Sequence, residues 1–378
     1  MFNRPSIGAA EEKAVLEVLR SGWLTTGPRT KALEKRFAAF RGCTHALGVN
    51  SCTAALHLCL VCLGVGPGDE VVTSPITFAS SANVIVHCGA TPVFCDVADD
   101  TLNMDPKSLA RTITPRTKAI IAVHFAGHPC DVDEISAIAA KHGVPVIEDA
   151  AHAVEAEYRG RPTGSLGVAA AFSFYATKNI TSGEGGMLTT NDAELAARAG
   201  LLALHGISRD AWKRYGDEGY QHWEIVAPGY KYNMYDLQAA LVDAQLDQID
   251  AFWERRRALV ELYDQAFSGS DALRPLASRD YVKPAYHLYV VRVTPAAGVT
   301  RDEFLNAVQA QGIGLGVHFR AVHLHPYYRE AFGFTRGMLP VAEAAGDAVV
   351  SLPLYPVLRE DELERVVRAC EVALAAAS

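Results

Sequence analysis

Cysteine is scarce in this sequence, long apolar runs are missing, and positive charge is not in excess; each shortage removes a class of protein. Eight cysteines among 378 residues are too few for a disulfide scaffold. Cys59-Leu-Val-Cys62 has CxxC spacing, but it sits inside an apolar run from 54 to 63. With no second Cys/His pair at zinc-ribbon spacing, buried core thiols are expected there instead of a redox or metal site. No stretch is long and apolar enough to span a bilayer. The formal net charge of −8 gives no global attraction for nucleic acid or anionic membranes. Local basic sites for a phosphorylated ligand stay open. Residues 1 to 8 lack a charged-then-apolar signal pattern, so the expected location is cytoplasmic.

Two familiar motifs are also missing in working form. Gly64-Val-Gly66-Pro-Gly68 resembles a dinucleotide fingerprint, but it follows a helix pattern and precedes a strand pattern, the reverse of the required order. Gly312-Ile-Gly314-Leu-Gly316 likewise precedes or forms strand. His318, His323 and His325 cluster without carboxylates and without HExxH, so no metal is expected; substrate contacts or loop packing suit them better.

What is present is an ordinary globular composition, 49% apolar and 21% charged. Strand patterns at 46–49, 70–73, 91–96, 119–124, 144–148, 169–174 and 186–190 alternate with helix patterns at 54–63, 80–87, 106–111, 132–141 and 193–204. That alternation predicts an α/β domain with a mostly parallel sheet and helices on both faces. Residues 206–232, rich in Trp, Tyr, Gly and charge, read as a long surface excursion. Residues 236–267 contain no Gly or Pro and predict one long helix or two nearly continuous ones. A smaller α+β unit follows, with strands at 287–293 and 313–319 and helices at 301–311 and 360–377. The expected division is a large domain over 1–250 and a small C-terminal one over 251–378.

The chemistry gathers around residues 172 to 187. There an apolar strand runs into a polar turn carrying Lys178, followed by glycines and a second strand. A lysine at the mouth of a sheet is placed to act as a Schiff-base nucleophile for a carbonyl cofactor such as pyridoxal phosphate, the alternative being a solvated turn lysine. Asp149 ends a strand, where open α/β sheets bind ligands. Its carboxylate can pair with a pyridinium N–H, or serve as a helix cap or structural ion pair. His152 could orient that carboxylate, pack on a ring, or be purely structural. Glu148 points to the other face of its strand and should not share the role. Ser51, Cys52, Thr53 and Ala54 open a helix directly after a strand, a natural phosphate site, and Ser173 is a further hydroxyl donor.

Together these residues resemble the DegT/StrS family of pyridoxal-phosphate-dependent nucleotide-sugar aminotransferases, of the type I aminotransferase fold. The likeness spans nearly the whole chain: Gly22-Trp-Leu-Thr-Thr-Gly-Pro28, Gly68-Asp-Glu-Val71, Glu148-Asp-Ala-Ala-His152, the lysine turn, Gly229-Tyr-Lys-Tyr-Asn-Met234, Asp236-Leu-Gln-Ala-Ala240 and Gly314-Leu-Gly-Val-His-Phe319. It implies Lys178, Asp149 and His152 as catalytic groups. Thr53, Ala54, Phe78, Ser173 and Asn233 join them in holding pyridoxal 5'-phosphate, with pyridoxamine 5'-phosphate as intermediate. Phe78 would stack on the ring, and Asn233 would reach the neighbouring subunit's cofactor phosphate, implying a homodimer with shared sites. Thr25, His318, Phe319 and His323 are the implied substrate contacts.

Within the family, residues 229–233 and 314–329 are most similar to enzymes aminating C4 of a 4-ketosugar, the UDP-4-amino-4-deoxy-L-arabinose type being nearest. The expected reaction moves an amino group from L-glutamate to C4 of a nucleotide-linked, UDP-type 4-ketosugar. The alternatives are a C3 ketosugar aminotransferase, a pyridoxamine-phosphate-dependent dehydratase, in which a histidine replaces the lysine, and a non-catalytic cofactor-binding regulator. Two residues depart from the family pattern: Cys52, where small residues are usual, and Glu155, where glycine is common.

Overall fold

The computed structural model describes residues 2–208 and 223–375. The main sheet and its flanking pieces occupy the first half of the chain. In order they are β1 (His45–Val49), β2 (Glu70–Thr73), β3 (Thr91–Phe94), β4 (Thr117–Val123), β5 (Val146–Asp149), β6 (Glu157–Tyr158), β7 (Arg161–Pro162), β8 (Ala169–Ser173) and β9 (Gly186–Thr190). Seven of these form one sheet in the order β1-β9-β8-β5-β4-β2-β3. All neighbours are parallel except those of β9, which runs antiparallel to both β1 and β8. β5, β8 and β9 are buried along almost their whole length, as expected of strands covered on both faces.

Helices α1 (Ala9–Ser21), α2 (Pro28–Arg41), α3 (Cys52–Cys62), α4 (Ser80–His87), α5 (Pro106–Thr112), α6 (Val132–Lys141) and α7 (Ala193–Leu202) surround that sheet. α3 is apolar on every side, and it packs on β8, β9, α4 and α7 within a single core. α2 begins at Pro28, a first-turn position that costs no hydrogen bond. Its orphan N–H groups are satisfied across the chain by Asp236. Oδ1 accepts from Gly27 N (2.8 Å) and Thr30 N (2.9 Å), and Oδ2 accepts from Arg29 N (3.0 Å). This fixes the N-terminal helices against α8 (Asp236–Leu246).

The run 236–267 is two helices, α8 and α9 (Ile249–Ala266). α9 spans two cores: Ile249 packs with Phe172 and Phe174, while Leu259 and Tyr263 pack with the C-terminal elements. Those elements are β10 (Leu273–Pro275), β11 (Val282–Lys283), β12 (Tyr289–Val293), α10 (Arg301–Gln309), α11 (Pro326–Phe332), α12 (Pro340–Ala348), β13 (Val349–Leu352) and α13 (Glu360–Ala375). β10, β12 and β13 make a three-stranded antiparallel sheet, and β11 pairs with β6. The strand expected at 313–319 does not form. Its only ladder contact among the described residues is a single bridge from Gly316 to Ser351. Glycines at 312, 314 and 316 weaken a strand, and the third strand position belongs to β13. Of the excursion expected at 206–232, residues 209–222 lie outside the described residues.

Candidate active site

In the parallel part of the sheet all carboxyl ends open on one edge. A cleft of about 650 Å³ lies there, lined by the starts of α3 and α4, the end of β5, the turn after β8, and residues 317–319. Asp149 ends β5 between β4 and β8, opposite Val123 and Ala171. The lysine turn joins β8 to β9 and is held from both sides. Phe174 N donates to Gly185 O (2.9 Å), and Gln245 of α8 bonds both backbone groups of Thr181, accepting from N (2.9 Å) and donating to O (3.0 Å).

Lys178 lines the cleft. Its surroundings are deep enough that desolvation pulls the amine down to about 8, with Cys52 and Asp149 pulling the other way. An amine with that value is about one-tenth unprotonated at pH 7, against a vanishing fraction for an exposed lysine at roughly 10.4, which favours a nucleophile or base. Asp149 lies on the same wall. Burial raises its carboxyl above the usual range, opposed by Ser81, whose Oγ donates to Oδ2 (2.7 Å), and by Ala151 N, which donates to Oδ1 (3.2 Å). Its neighbour Glu148 faces away, as expected. It accepts from the N–H groups of Gly164, Leu166 and Gly167 and pairs with His124 at 3.0 Å.

His152 also lines the cleft, buried, with no hydrogen-bond partner for Nδ1 among the described residues. Its ring lies between His287 (centroids 4.4 Å) and Phe319 (6.0 Å, planes 20° apart). Desolvation first, then the charge of Lys178, drives it well below the ordinary imidazole range, so it is neutral. His318 bonds Ser351 Oγ through Nδ1 (2.8 Å), and burial lowers it to about 4. Phe78 reaches the cleft as an exposed ring, 64% accessible, the geometry of an aromatic face without a protein partner on one side.

The anion cradle is at the start of α3. Ser51 caps it by accepting from Ala54 N (3.1 Å), so Ala54 is already satisfied, and Cys52 and Thr53 line the cleft at the positive end of the helix. β9 approaches so closely that a Cβ on Gly186 would stand 2.4 Å from Ser51 C and 2.6 Å from Cys52 N. Only glycine permits that approach. Ser173 completes the hydroxyl lining.

Of the expected site residues, the cleft gathers Lys178, Asp149, His152, Thr53, Phe78, Ser173, His318 and Phe319. Ala54 lies just behind it. Three others lie elsewhere in the chain. Asn233 donates to Thr26 Oγ1 (2.8 Å) and lines a second cleft of about 830 Å³ with Lys31 and Glu34. Thr25 precedes it and offers its carbonyl to Asp236 N (3.2 Å). His323 is fully buried and paired through Nε2 with Glu343 (3.0 Å), a carboxylate that also collects the N–H groups of Gly337 and Leu339. Ser81, His287 and the N-terminal Phe2 were not foreseen. Phe2 stacks on His318 at 5.5 Å, and no local pattern could have brought it there.

The profile of the DegT/DnrJ/EryC1/StrS aminotransferase family matches residues 5–371. The chain belongs to that family. It is 50% identical over 370 residues to the spore coat polysaccharide biosynthesis protein SpsC of Bacillus subtilis, covering 97% of this chain and 95% of that one. Among solved structures it is similar to the PMP form of Spr1654 from Streptococcus pneumoniae, a proposed sugar aminotransferase (TM-score 0.94, 35% identity, all of both chains). It is also similar to Helicobacter pylori PseC, an aminotransferase of pseudoaminic acid biosynthesis (TM-score 0.93, 29% identity, 100% of this chain and 99% of that one). The protein is thus a pyridoxal-phosphate-dependent sugar aminotransferase with the type I fold.

The site fits that cofactor on its own chemistry. Cys52 and Thr53 at the start of α3, with Ser173, would hold the phosphate, and Asp149 would face the ring nitrogen. Phe78 would offer its exposed face to the ring, His152 would line the same pocket with its Nδ1 unpaired among the described residues, and Lys178 would hold the aldehyde carbon. When bound, the group supplies an electron sink for the carbanion chemistry of amino transfer.

Proposed function

We propose that the enzyme moves an amino group from L-glutamate to C4 of a nucleotide-linked 4-ketosugar, of the UDP type. The observation that carries the chemistry is Lys178, a desolvated amine of pKa about 8 on the same cleft wall as Asp149. That amine is the base for the proton on the amino-acid Cα, and Asp149 holds a proton at the ring nitrogen while charge develops. His152 and His318 stay neutral and so add no cation to the cleft.

The 4-keto assignment rests on the likeness of residues 229–233 and 314–329 to C4 aminotransferases. The polysaccharide biosynthesis role of SpsC and the pseudoaminic acid role of PseC support an amino-sugar product. His318 and Phe319 line the same cleft as Lys178, where a sugar would sit. A homodimer with shared sites accounts for Thr25 and Asn233 lying outside this chain's own Lys178 cleft. It also accounts for the exposed apolar rings of Phe78 and Tyr175 at that cleft. A lysine at 178 speaks against a dehydratase.

The test is to load the protein with pyridoxamine phosphate and add nucleotide 4-ketosugars and 3-ketosugars in turn. Return of the aldehyde spectrum with a 4-ketosugar, and an axial or equatorial C4 amine in the product, supports the reading. Return with 3-ketosugars alone moves the assignment to C3.

A further inference from the structure

Behind His152 runs a buried chain of polar groups that amino transfer does not itself explain. Asn179, the residue after Lys178, is buried. Its Nδ2 donates to Glu155 Oε2 (2.8 Å) and to Ala285 O (2.8 Å). The Ala285 carbonyl can only accept, so the amide cannot be turned over. Asn179 Oδ1 therefore faces His287 Nδ1 at 2.8 Å, and that nitrogen must carry the proton. Arg256 completes the arrangement from α9. It pairs with Glu155 at 3.4 Å and donates to the backbone carbonyl of Asn179 at 3.0 Å.

The far end of the chain is His287, buried and lining the cleft, its ring 4.4 Å from that of His152. Burial, reinforced by His152, Lys178, Arg256 and His318, keeps His287 well below the ordinary imidazole range. A neutral ring protonated at Nδ1 is bare at Nε2. Among the described residues Nε2 has no hydrogen-bond partner. Without Asn179 the ring would be free to flip and to exchange its proton between nitrogens. The wall against which His152 packs would then lose its fixed shape.

We propose that Glu155, Arg256 and Asn179 are positioning residues that lock His287 as its Nδ1–H tautomer, and that His287 in turn seats His152 beside Lys178. Glu155 supplies the carboxylate that holds the Asn179 amide, and a residue without a carboxylate there could not. The lock acts through packing and tautomer, and none of the four need touch the sugar.

Nitrogen-15 spectra of protein labelled at its thirteen histidines test the lock without any substrate. The signal that disappears in both His287→Asn and His287→Gln should show a protonated Nδ1 and a bare Nε2 from pH 5.5 to 8.5. An Nε2–H ring or an imidazolium in that range overturns the proposal. The two variants give a second reading, because asparagine can place an amide N–H where Nδ1–H stood and glutamine cannot. The Asn variant should stay within about tenfold of wild-type kcat, the scale of one hydrogen bond. The Gln variant should fall about 100-fold with KM for the amino donor little changed, as expected of a misplaced reacting group. Equal losses, or a better Gln variant, overturn it. Because the spectra need no substrate, failure of the 4-ketosugar assignment would leave this test intact.

Discussion

Ser81 donates its hydroxyl proton to Asp149 Oδ2 across 2.7 Å, tying the first turn of α4 to the end of β5. Thr77 Oγ1 lies 2.7 Å from the same hydroxyl, so the donor is itself oriented. For Asp149 it is the largest of the interactions that oppose burial and favour the ionised carboxylate.

Removing it should therefore weaken the grip on the cofactor's ring nitrogen. A hydrogen bond to a charged group contributes about 1.5–3 kcal/mol, so Ser81→Ala should raise the dissociation constant for pyridoxal phosphate about 10- to 100-fold. Ser81→Thr, which keeps the hydroxyl, should lie near wild type. Equilibrium dialysis measures both, and an unchanged constant in the Ala variant would show that Asp149 does not depend on Ser81.

Lys178 should titrate apart from every ordinary lysine. In cofactor-free protein its amine becomes reactive as pH rises through about 8, against roughly 10.4 for an exposed lysine. Acylation with a small amine reagent, followed by peptide mass spectrometry, reads the midpoint. Asp149→Asn removes a charge that favours the ammonium form, so the midpoint should move lower still. The linkage has a definite sign. The folded value is below the unfolded one, so the unfolded chain binds more protons between about 8 and 10.4. Lys178 therefore contributes a stability that rises with pH across that window and is lost as pH falls through 8. A midpoint near 10 would sink the assignment of a desolvated amine. Lys178→Ala should abolish amino transfer while leaving the fold, since the turn is held by Gln245 and Gly185.

The parts of the site legible in the sequence are those whose chemistry is local. Lys178, Asp149 and the start of α3 each lie at or within a few residues of the end of a strand that the sequence pattern reveals. Ser81 and His287 were illegible because their partners are 68 and 108 residues away. His323, read as a substrate contact or loop packing, lies outside the Lys178 cleft for a related reason: the carboxylate that claims it, Glu343, comes from α12, twenty residues on. In the fold, β13 was hidden because Val349 follows α12 with no glycine or proline between them. The strand expected at 313–319 was an alternation without the ladder partner it needed.

Asp236 carries more of the fold than its exposed-looking sequence context suggests. It is buried, accepts three backbone N–H groups at the start of α2, and also takes the Thr30 hydroxyl at 2.7 Å. Asp236→Ala leaves those donors without an acceptor, each worth about 1–3 kcal/mol when buried. The expected loss is at least about 3 kcal/mol, seen as a lower midpoint in chemical denaturation. A loss below about 1 kcal/mol would reduce Asp236 to an ordinary helix cap.

Gly186 and Gly185 offer a paired test of the phosphate cradle. A Cβ on Gly186 would meet backbone atoms of Ser51 and Cys52 at 2.4–2.6 Å, and those atoms belong to the helix start that must face the anion. A Cβ on Gly185 would meet Ser182 Oγ at 2.3 Å, a side-chain atom that can rotate away. Overpacking of the first kind costs about 1–3 kcal/mol and displaces backbone. Gly186→Ala should therefore stay folded by circular dichroism yet bind pyridoxal phosphate at least about tenfold more weakly, with Gly185→Ala much less affected. The comparison isolates the helix start from the ring contacts, because neither glycine lies within reach of Asp149 or Phe78 in its close contacts. Equal weakening by both substitutions would mean that the turn as a whole, and not the Ser51–Cys52 backbone, sets the affinity.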